Sequence, residues 1–115
     1  MSEKPRSIPV LFYQTPSGAD VVLDWLKALD QVDRNIVGQD LMRVQFRWPV
    51  GMPLCRPLGG GLWEVRSNLT SHRIARVLFC FVDGRIVAIH GFVKKTQKTP
   101  DAELKLARQR KAEFD

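Results

Sequence analysis

Residues 73–93 read RIARVLFCFVDGRIVAIHGFV, two runs rich in β-branched and aromatic residues that are joined by Asp83-Gly84. An Asp-Gly pair between two such runs is a strong signal for a tight β-hairpin. The first run is apolar at almost every position, which is typical of a strand covered on both of its faces. The segment therefore predicts two antiparallel strands, Arg73 to Val82 and Arg85 to Val93, and the first of them is predicted to be central in its sheet.

Further strands are predicted upstream of this hairpin. Apolar and polar residues alternate from Leu62 to Ser67, which is the pattern of a strand with two different faces. Residues 49–61 are rich in proline and glycine and predict a connector, in which Leu54 to Leu58 could pair only at a sheet edge. A short apolar run from Ile8 to Tyr13, closed by a turn sequence, predicts the first strand.

In the remaining segments apolar residues recur at intervals of three and four residues, which predicts helices. One helix is predicted after Ser17 and Asp20, which have the spacing of a capping box, and a second one from Asp33 to the residue before Pro49. The apolar stripes of these two helices consist of Val22, Trp25, Leu26 and Leu29, and of Val37, Leu41, Val44 and Trp48. A last, strongly basic helix is predicted to begin with Thr99 as its N-cap and Pro100 as its first residue.

These elements predict an α+β fold in a single domain, residues 1–115. The first strand and a three-stranded meander would form a small antiparallel sheet, with the helical hairpin packed on one face and the basic C-terminal helix following. A chain of 115 residues has the usual size of one domain. No apolar run has the length of a membrane-spanning helix, and residues 1–6 are not followed by a signal-peptide pattern, so a cytoplasmic protein is expected.

The positive charge of the chain is confined to its second half. The formal net charge is +6, yet residues 1–50 contain as many acidic as basic side chains, so the whole excess lies in residues 51–115. Between Arg66 and Lys98 the only acidic residue is Asp83. This asymmetry indicates a polyanionic partner.

Strand parity brings several of these cations to one face of the predicted sheet. Arg66, Arg76 and Lys94 are expected to converge in one positive pocket, and Arg73, Lys95 and Lys98 would lie at its margin. Arginine holds phosphate oxygens in a bidentate manner, whereas lysine offers a compact charge and can act as a proton acceptor where other cations crowd it. The pocket therefore suits a phosphodiester.

RNA cleavage is compatible with such a pocket, because the 2′-hydroxyl of RNA is an internal nucleophile. The reaction needs a base for that proton, cations for the phosphorane and an acid for the departing 5′-oxygen, and it needs no metal or other cofactor. Motifs of phosphate-binding loops, zinc proteases and serine hydrolases are absent from the sequence. His72 is interpreted as a turn residue and His90 as a hydrogen-bonded, partly buried residue rather than a base.

Three segments, residues 61–66, residues 73–79 and above all HGFVKKTQKTP at residues 90–100, resemble the phage-derived HigB-like branch of the RelE/ParE toxin superfamily. The resemblance extends over residues 8–114. It implies a RelE-like fold whose open sheet face binds messenger RNA, and a toxin that cleaves this RNA in the ribosomal A site without a metal. It also implies a cognate helix-turn-helix antitoxin as partner, and it allows a heterotetramer with that antitoxin.

The family pattern implies functional roles for the same cations. It places phosphate-binding or catalytic arginines at Arg66 and Arg76, with Arg73 nearby, and basic residues at Lys94 and Lys95. The predicted site thus has Arg66, Arg76, Lys94 and Lys95 as catalytic residues, and Arg73, His90, Phe92 and Lys98 are predicted to bind RNA. Many ribonucleases of the superfamily use a tyrosine near the C-terminus as the acid, but Tyr13 in the first strand is the only tyrosine here. Either Arg76, Lys95 or His90 replaces it, or the ribosome assists, or the activity is weak.

Two other functions remain open at this stage. The absent C-terminal tyrosine favours a sheet that binds RNA or the ribosome without cleaving, and the same fold can also carry a ParE-like inhibitor of DNA gyrase. An mRNA endonuclease neutralised by its antitoxin is the leading hypothesis, because the cation pattern and the resemblance agree on the same residues.

Overall fold

Five strands and three helices make up the computed structural model, which describes residues 7–115. In chain order they are β1 (Val10–Phe12), α1 (Val21–Ala28), α2 (Gln31–Arg47), β2 (Cys55–Gly59), β3 (Leu62–Asn68), β4 (Ile74–Val82), β5 (Arg85–Lys94) and α3 (Asp101–Ala112). The N-terminal residues considered above for a signal peptide, residues 1–6, lie outside the described part. Each strand and helix that the sequence predicts is present, which confirms the α+β class.

The strands form one mixed sheet in the order β1-β5-β4-β3-β2. β2 to β5 are antiparallel neighbours, whereas β1 runs parallel to β5, with Val10 opposite Ile86. The prediction of a purely antiparallel sheet is therefore wrong at β1. A parallel pair needs a long crossover between its strands, and the two helices and three strands between β1 and β5 provide it.

The segment predicted as a connector contains an edge strand. β2 pairs with β3, and the tight turn at Gly60 and Gly61, both with positive φ, closes this hairpin. A proline within β2, Pro57, is tolerated because an edge strand has a neighbour on only one side. The edge pairing that the sequence allowed at Leu54 to Leu58 is thus real, and it begins one residue later, at Cys55.

Helix starts differ from the predicted ones by one or two residues. α2 begins at Gln31, because the carboxylate of Asp30 accepts a hydrogen bond of 2.9 Å from the backbone N–H of Asp33 and caps the helix. The predicted capping box of α1 is absent, since Asp20 precedes the helix without a side-chain cap. Thr99 does not cap α3 either; its hydroxyl is used inside the sheet region, as described below.

Helices cover both faces of the sheet. α1 and α2 lie on one face, where Trp25 contacts Gly91 and where Trp48, next to the end of α2, packs against Trp63. α3 lies on the opposite face, to which His90 and Glu64 point. The expectation of an open sheet face is wrong, because the apolar side of α3, with Ala107 fully buried, needs a surface to pack on.

Gly91 is the point of closest approach between α1 and the sheet. A Cβ atom built on this residue would overlap the ring of Trp25. Only glycine leaves room for an indole at this position. The contact between Trp25 and Gly91 therefore fixes how closely α1 packs on β5.

The core lies between the three layers, and β4 runs through its centre. Residues 74–80 of β4 are all buried, as expected for a central strand covered on both faces. The buried thiol of Cys80 lies among them, while Cys55 begins β2 as a second buried, free thiol. No helix within residues 7–115 is long and apolar enough to cross a membrane.

Candidate nucleic-acid interface

Arg66 of β3 and Arg76 of β4 are direct cross-strand partners, and Lys94 of β5 lies opposite Ile74. Side chains two residues apart on a strand point to the same face, so the three cations share one face of the sheet. The parity argument is confirmed to this extent. Their surroundings differ, and they do not form the single exposed pocket that the sequence predicts.

Arg76 lies inside the protein and is paired there with an acid. Arg76 and Glu64 are both fully buried, and Nε of Arg76 lies 2.9 Å from Oε1 of Glu64. The same carboxylate accepts hydrogen bonds from Nη2 of Arg56 at 2.9 Å and from the hydroxyl of Thr99 at 2.8 Å. We call Arg56, Glu64, Arg76 and Thr99 the buried arginine cluster. An exposed, phosphate-binding Arg76 is thus a wrong prediction, because Glu64 already supplies its counter-charge.

The electrostatics of this cluster are those of a structural ion pair. Burial lowers the pKa of Arg76, since the charged form loses its water, and the Glu64 carboxylate opposes that effect. Nη1 of Arg76 is buried and has no hydrogen-bond partner in the described part of the chain. A guanidinium held in this way cannot reach a ligand unless the chain at Thr96 and Gln97, which it contacts, moves away.

The two arginines instead fix the loop of residues 95–100. Nη2 of Arg76 donates to the backbone carbonyl oxygens of Thr96 and Gln97, the latter at 2.9 Å. Nη2 of Arg66 donates to the carbonyl and to the side-chain oxygen of Gln97, at 3.2 and 3.0 Å. The loop carries two exposed lysines, Lys95 and Lys98. Arg66 and Arg76 therefore position the lysines that the sequence predicts to bind RNA.

His90 and Phe92 face α3 and are withdrawn from the surface. Nε2 of His90 lies 3.3 Å from the Glu103 carboxylate, and its Nδ1 lies 3.3 Å from Nη1 of Arg110, which serves as the donor. Burial lowers the pKa of His90, and the Arg110 charge adds to this effect, whereas Glu103 opposes it. Phe92 is buried against His90 and Arg76. Both residues were predicted to bind RNA, but His90 contacts α3 and Phe92 is buried beside it, so neither is presented on the surface.

A groove opens where β2 stops short of the end of β3. β2 begins at Cys55, opposite Val65, so the last residues of β3 extend past it. Two adjoining cavities of about 520 and 420 Å³ lie there and share Asn68, Ile74 and Gln97 in their walls. We call this pair of cavities the basic groove. Its basic and imidazole side chains are Arg43 and Arg66 in the larger cavity, and His72, Arg73 and Lys95 in the smaller one.

Arg73 contributes to the groove with part of its charge neutralised. Its Nη1 and Nη2 donate to the two carboxylate oxygens of Asp33 at 2.7 and 3.0 Å. This bidentate pair lowers the pKa of Asp33, and the carboxylate raises that of Arg73. Arg73 was predicted to bind RNA, and the pair shows that it also ties α2 to the turn before β4.

Lysines supply the least compensated charge beside the groove. Lys94, Lys95 and Lys98 are exposed, and no acidic side chain among residues 7–115 lies within ion-pair distance of them. Lys95 lines the smaller cavity. The sequence placed these three lysines correctly on the surface at the end of β5, and their roles in RNA binding and catalysis stay predictions.

His72 is a site residue that the sequence interpretation did not select. It is exposed, it lines the smaller cavity beside Arg73 and Lys95, and both His72 and Ser71 have φ of +59°. Consecutive non-glycine residues in the left-handed region are uncommon, and such conformations are frequent at functional sites. The sequence signal was available: a histidine next to an arginine in the turn of a basic hairpin.

Tyr13, the only tyrosine, lies away from the basic groove. Its hydroxyl donates to the Glu113 carboxylate near the end of α3, and the guanidinium of Arg110 stacks 5.0 Å from the centre of its ring. The hydrogen bond to Glu113 and burial raise the pKa of Tyr13. The fold thus brings the tyrosine of the first strand to the C-terminal helix, but on the α3 side of the sheet and not in the groove.

A metal centre is not formed by the described residues. Within residues 7–115, no three His, Cys, Asp or Glu side chains are grouped so that they could hold a metal ion. Asp40 lines the larger cavity and is paired with Arg43 at 3.1 Å, and Asp33 is paired with Arg73 at 2.7 Å. Besides the paired Asp40 carboxylate, the groove offers guanidinium, ammonium and imidazole groups.

Comparison with known proteins places the chain in a family. The family model described as "Phage derived protein Gp49-like (DUF891)" matches residues 24–112, which include α2, β2 to β5 and all of α3. None of the curated proteins compared with the chain matches it. The match covers most of the sheet, the buried arginine cluster and the basic groove. The chain therefore belongs to the Gp49-like family of phage-derived proteins, a family associated with the toxins of toxin–antitoxin systems.

Proposed function

We propose that this protein is the toxin of a type II toxin–antitoxin system and that it cleaves messenger RNA on the ribosome, with the basic groove as the phosphate-binding surface. Family membership supports a toxin of a toxin–antitoxin system. The observation that carries the RNA substrate is the groove itself, which combines three arginines (Arg43, Arg66 and Arg73), His72 and Lys95 with exposed lysines on either side of Lys95. Cations of this density suit a polyanionic backbone.

The proposed reaction uses the substrate's own nucleophile. The 2′-oxygen attacks the adjacent phosphorus, the bond to the 5′-oxygen breaks, and the products are a 2′,3′-cyclic phosphate and a 5′-hydroxyl end. Arg66, Lys95 and Lys98 would hold the phosphate and stabilise the charge of the phosphorane. His72 would take the proton of the 2′-hydroxyl as the phosphorane forms and give it to the 5′-oxygen as that bond breaks, since an imidazole nitrogen can accept a proton and then donate it.

The revised site differs from the sequence prediction in two places. His72 takes the proton-transfer role, for which the sequence left Arg76, Lys95, His90 or the ribosome open. Arg76 becomes a positioning residue, because it fixes the loop that carries Lys95 and Lys98. The proposal retains a cytoplasmic toxin that needs no cofactor and is neutralised by a helix-turn-helix antitoxin, in a heterotetramer or a smaller complex.

A comparison of the two histidines tests the proposed reaction. Purified protein is added to translating ribosomes with a reporter message, and new 5′ ends are mapped by primer extension. We expect His72→Ala to slow cleavage by about 100-fold or more, the usual contribution of a general acid or base. His90→Gln, which changes the histidine under α3, should cleave at nearly the wild-type rate once folding is verified by circular dichroism.

Several outcomes would refute this proposal. Equal cleavage by the wild type and the His72→Ala variant would remove His72 from the mechanism. Cleavage that is absent with translating ribosomes, together with inhibited DNA supercoiling, would instead support a gyrase inhibitor. The endonuclease assignment requires the message to be cut by the wild-type chain.

A non-catalytic module that binds RNA or the ribosome is the second candidate. Two observations favour it: Arg76 is buried and paired with Glu64, and Tyr13 lies outside the groove. Neither side chain is therefore in a position to act on RNA bound in the groove. This candidate predicts retention of the message on the groove and translation arrest, with no new 5′ ends. Arg66→Ala would then weaken binding and its salt dependence while no cleavage rate exists to change.

A further inference from the structure

The solvent-facing side of α2 carries a seam of exposed side chains, three apolar and two amide, that the fold itself does not use. Val32, Asn35, Gln39, Met42 and Phe46 follow each other at alternating spacings of three and four residues, and we call them the α2 ridge. Val32, Met42 and Phe46 are exposed to 60%, 56% and 47%. The helix buries its other side, with Val37, Leu41 and Val44 in the core. A seam with this spacing is the surface on which a second helix packs.

The α2 ridge is continuous with the basic groove. A cavity of about 330 Å³ on the ridge is lined by Gln39, Met42, Arg43, Phe46 and Arg47. Gln39 and Arg43 also line the larger cavity of the groove. A helix lying along the ridge would therefore reach the edge of the surface that we assign to RNA.

We infer that the α2 ridge binds an acidic amphipathic helix of the antitoxin and that this helix neutralises the toxin by covering the entrance of the basic groove. The inference rests on the proposed function, which supplies the antitoxin and the RNA. Apolar side chains of the helix would pack on Met42 and Phe46, and its acids would pair with Arg47, since Arg43 is already paired with Asp40 at 3.1 Å. Amphipathic helices commonly bind partner surfaces in this way.

Charge selects this occupant over a second copy of the chain. Arg47 flanks the ridge, is exposed and has no acidic partner among residues 7–115, so two copies that meet through their ridges would bring the two Arg47 side chains into one interface. Like charges brought together at an interface oppose association. The protein's own residues 1–6, with the sequence MSEKPR, are also a poor match, because they contain more basic than acidic side chains. A partner helix with apolar and acidic side chains complements both the apolar side chains of the ridge and the positive charge at its border.

Calorimetric titration of variants tests the ridge directly. The probe is the purified product of the reading frame that adjoins this gene, titrated into the full-length protein. We expect Phe46→Glu to weaken binding roughly 100-fold, because it places an acid in the centre of the seam. Arg47→Glu should weaken binding about 10-fold at low salt, and less at high salt, because its contribution is electrostatic.

Phe114→Glu is the matched control. Phe114 is exposed to 41%, close to the value of Phe46, but it follows α3 on the opposite face of the sheet. The control makes the same substitution and adds the same charge, and it should bind the probe as the wild type does. Thermal unfolding of both variants verifies that the exposed substitutions leave the fold intact.

The outcomes separate this inference from the proposed function. It is overturned if the wild type does not bind the probe, if Phe46→Glu binds as tightly as Phe114→Glu, or if a short RNA and the probe bind simultaneously without competition. If the probe requires the ridge and displaces the RNA but messages are never cut, the ridge inference stands and only the endonuclease function fails.

Discussion

The buried arginine cluster and the lysines beside the basic groove carry the same sign of charge, arise from neighbouring strands and have opposite roles. In the cluster, Glu64 balances Arg76 at 2.9 Å with no water access, and Arg56 adds a second cation at its border. At the groove, Lys95 and Lys98 project from a loop into solvent. The cluster holds the loop in place, and the loop presents the lysines.

This contrast shows that a shared sheet face does not imply a shared function. The cations differ in whether an acid lies near them. Glu64, on β3 diagonally across from Arg76, forms an ion pair with it, whereas no acid among residues 7–115 forms one with Lys95 or Lys98. A buried charge without its partner is strongly destabilising, while an exposed charge costs little to move or remove. Substitutions in the two regions should therefore affect different measurements.

Arg76→Ala is expected to have the largest effect. It leaves the Glu64 carboxylate buried opposite only Arg56 and Thr99, and breaking a buried pair in this way costs about 3–5 kcal/mol. The free energy of unfolding from urea denaturation measures the loss. Lys94→Ala, which removes an exposed cation from the same sheet face, should change it by less than about 0.5 kcal/mol.

A double variant separates burial of charge from loop anchoring. Glu64→Leu combined with Arg76→Met removes both buried charges, and Arg56 is exposed enough to be solvated after losing Glu64. We expect most of the stability to return, as in other proteins whose buried ion pairs are replaced by apolar residues. If the double variant is as unstable as Arg76→Ala, the hydrogen bonds to the loop carbonyls are the main contribution, and the cluster is not a charge-balancing device.

A smaller effect is expected for the exposed lysines, and it should appear only in RNA binding. Lys95→Ala and Lys98→Ala would each release one phosphate contact, lowering the slope of log affinity against log salt by about 0.7 for single-stranded RNA. Fluorescence anisotropy with a labelled oligonucleotide at several salt concentrations gives the slope. An unchanged slope in both variants would place the RNA elsewhere on the surface.

The smallest expected effect is a pH dependence of stability from His90. Burial holds its pKa below the value of about 6.5 found for free histidine, so the unfolded chain binds the proton first as the pH falls. The stability due to neutral His90 is complete above pH 6.5 and is lost as the pH falls through the lower pKa of the folded state. His90→Gln should flatten the unfolding free energy in that window, and a slope equal to that of the wild type would contradict the assignment.

The sequence predicted the elements of this fold better than their arrangement. Asp83-Gly84 and the apolar run before it were sufficient to define β4, the hairpin and β5, because turn chemistry and periodicity are local signals. The parallel pairing of β1 with β5 and the placement of α3 over the second sheet face depend on contacts between distant segments. Nothing in the local pattern of residues 101–112 indicates which face of the sheet they cover.

The candidate site was predicted in part for the same reason. Parity correctly gave the common face of Arg66, Arg76 and Lys94, since side chains alternate between the two faces along each strand. It could not show that Glu64 lies diagonally from Arg76, because that depends on the register between β3 and β4, which no local pattern fixes. His72 was not predicted as a site residue, because a single histidine in a turn is common. Only the cavity that it shares with Arg73 and Lys95 indicates a functional role.

The close seat of Trp25 on Gly91 has an evolutionary consequence. A residue larger than glycine at position 91 of β5 is compatible only with a residue smaller than tryptophan at position 25 of α1. Substitutions at these two positions should therefore appear together in related chains. A relative with alanine or serine at position 91 and an intact tryptophan at position 25 would have to tilt its first helix away from the sheet. The pair is thus a compact marker for recognising which relatives keep this exact helix placement.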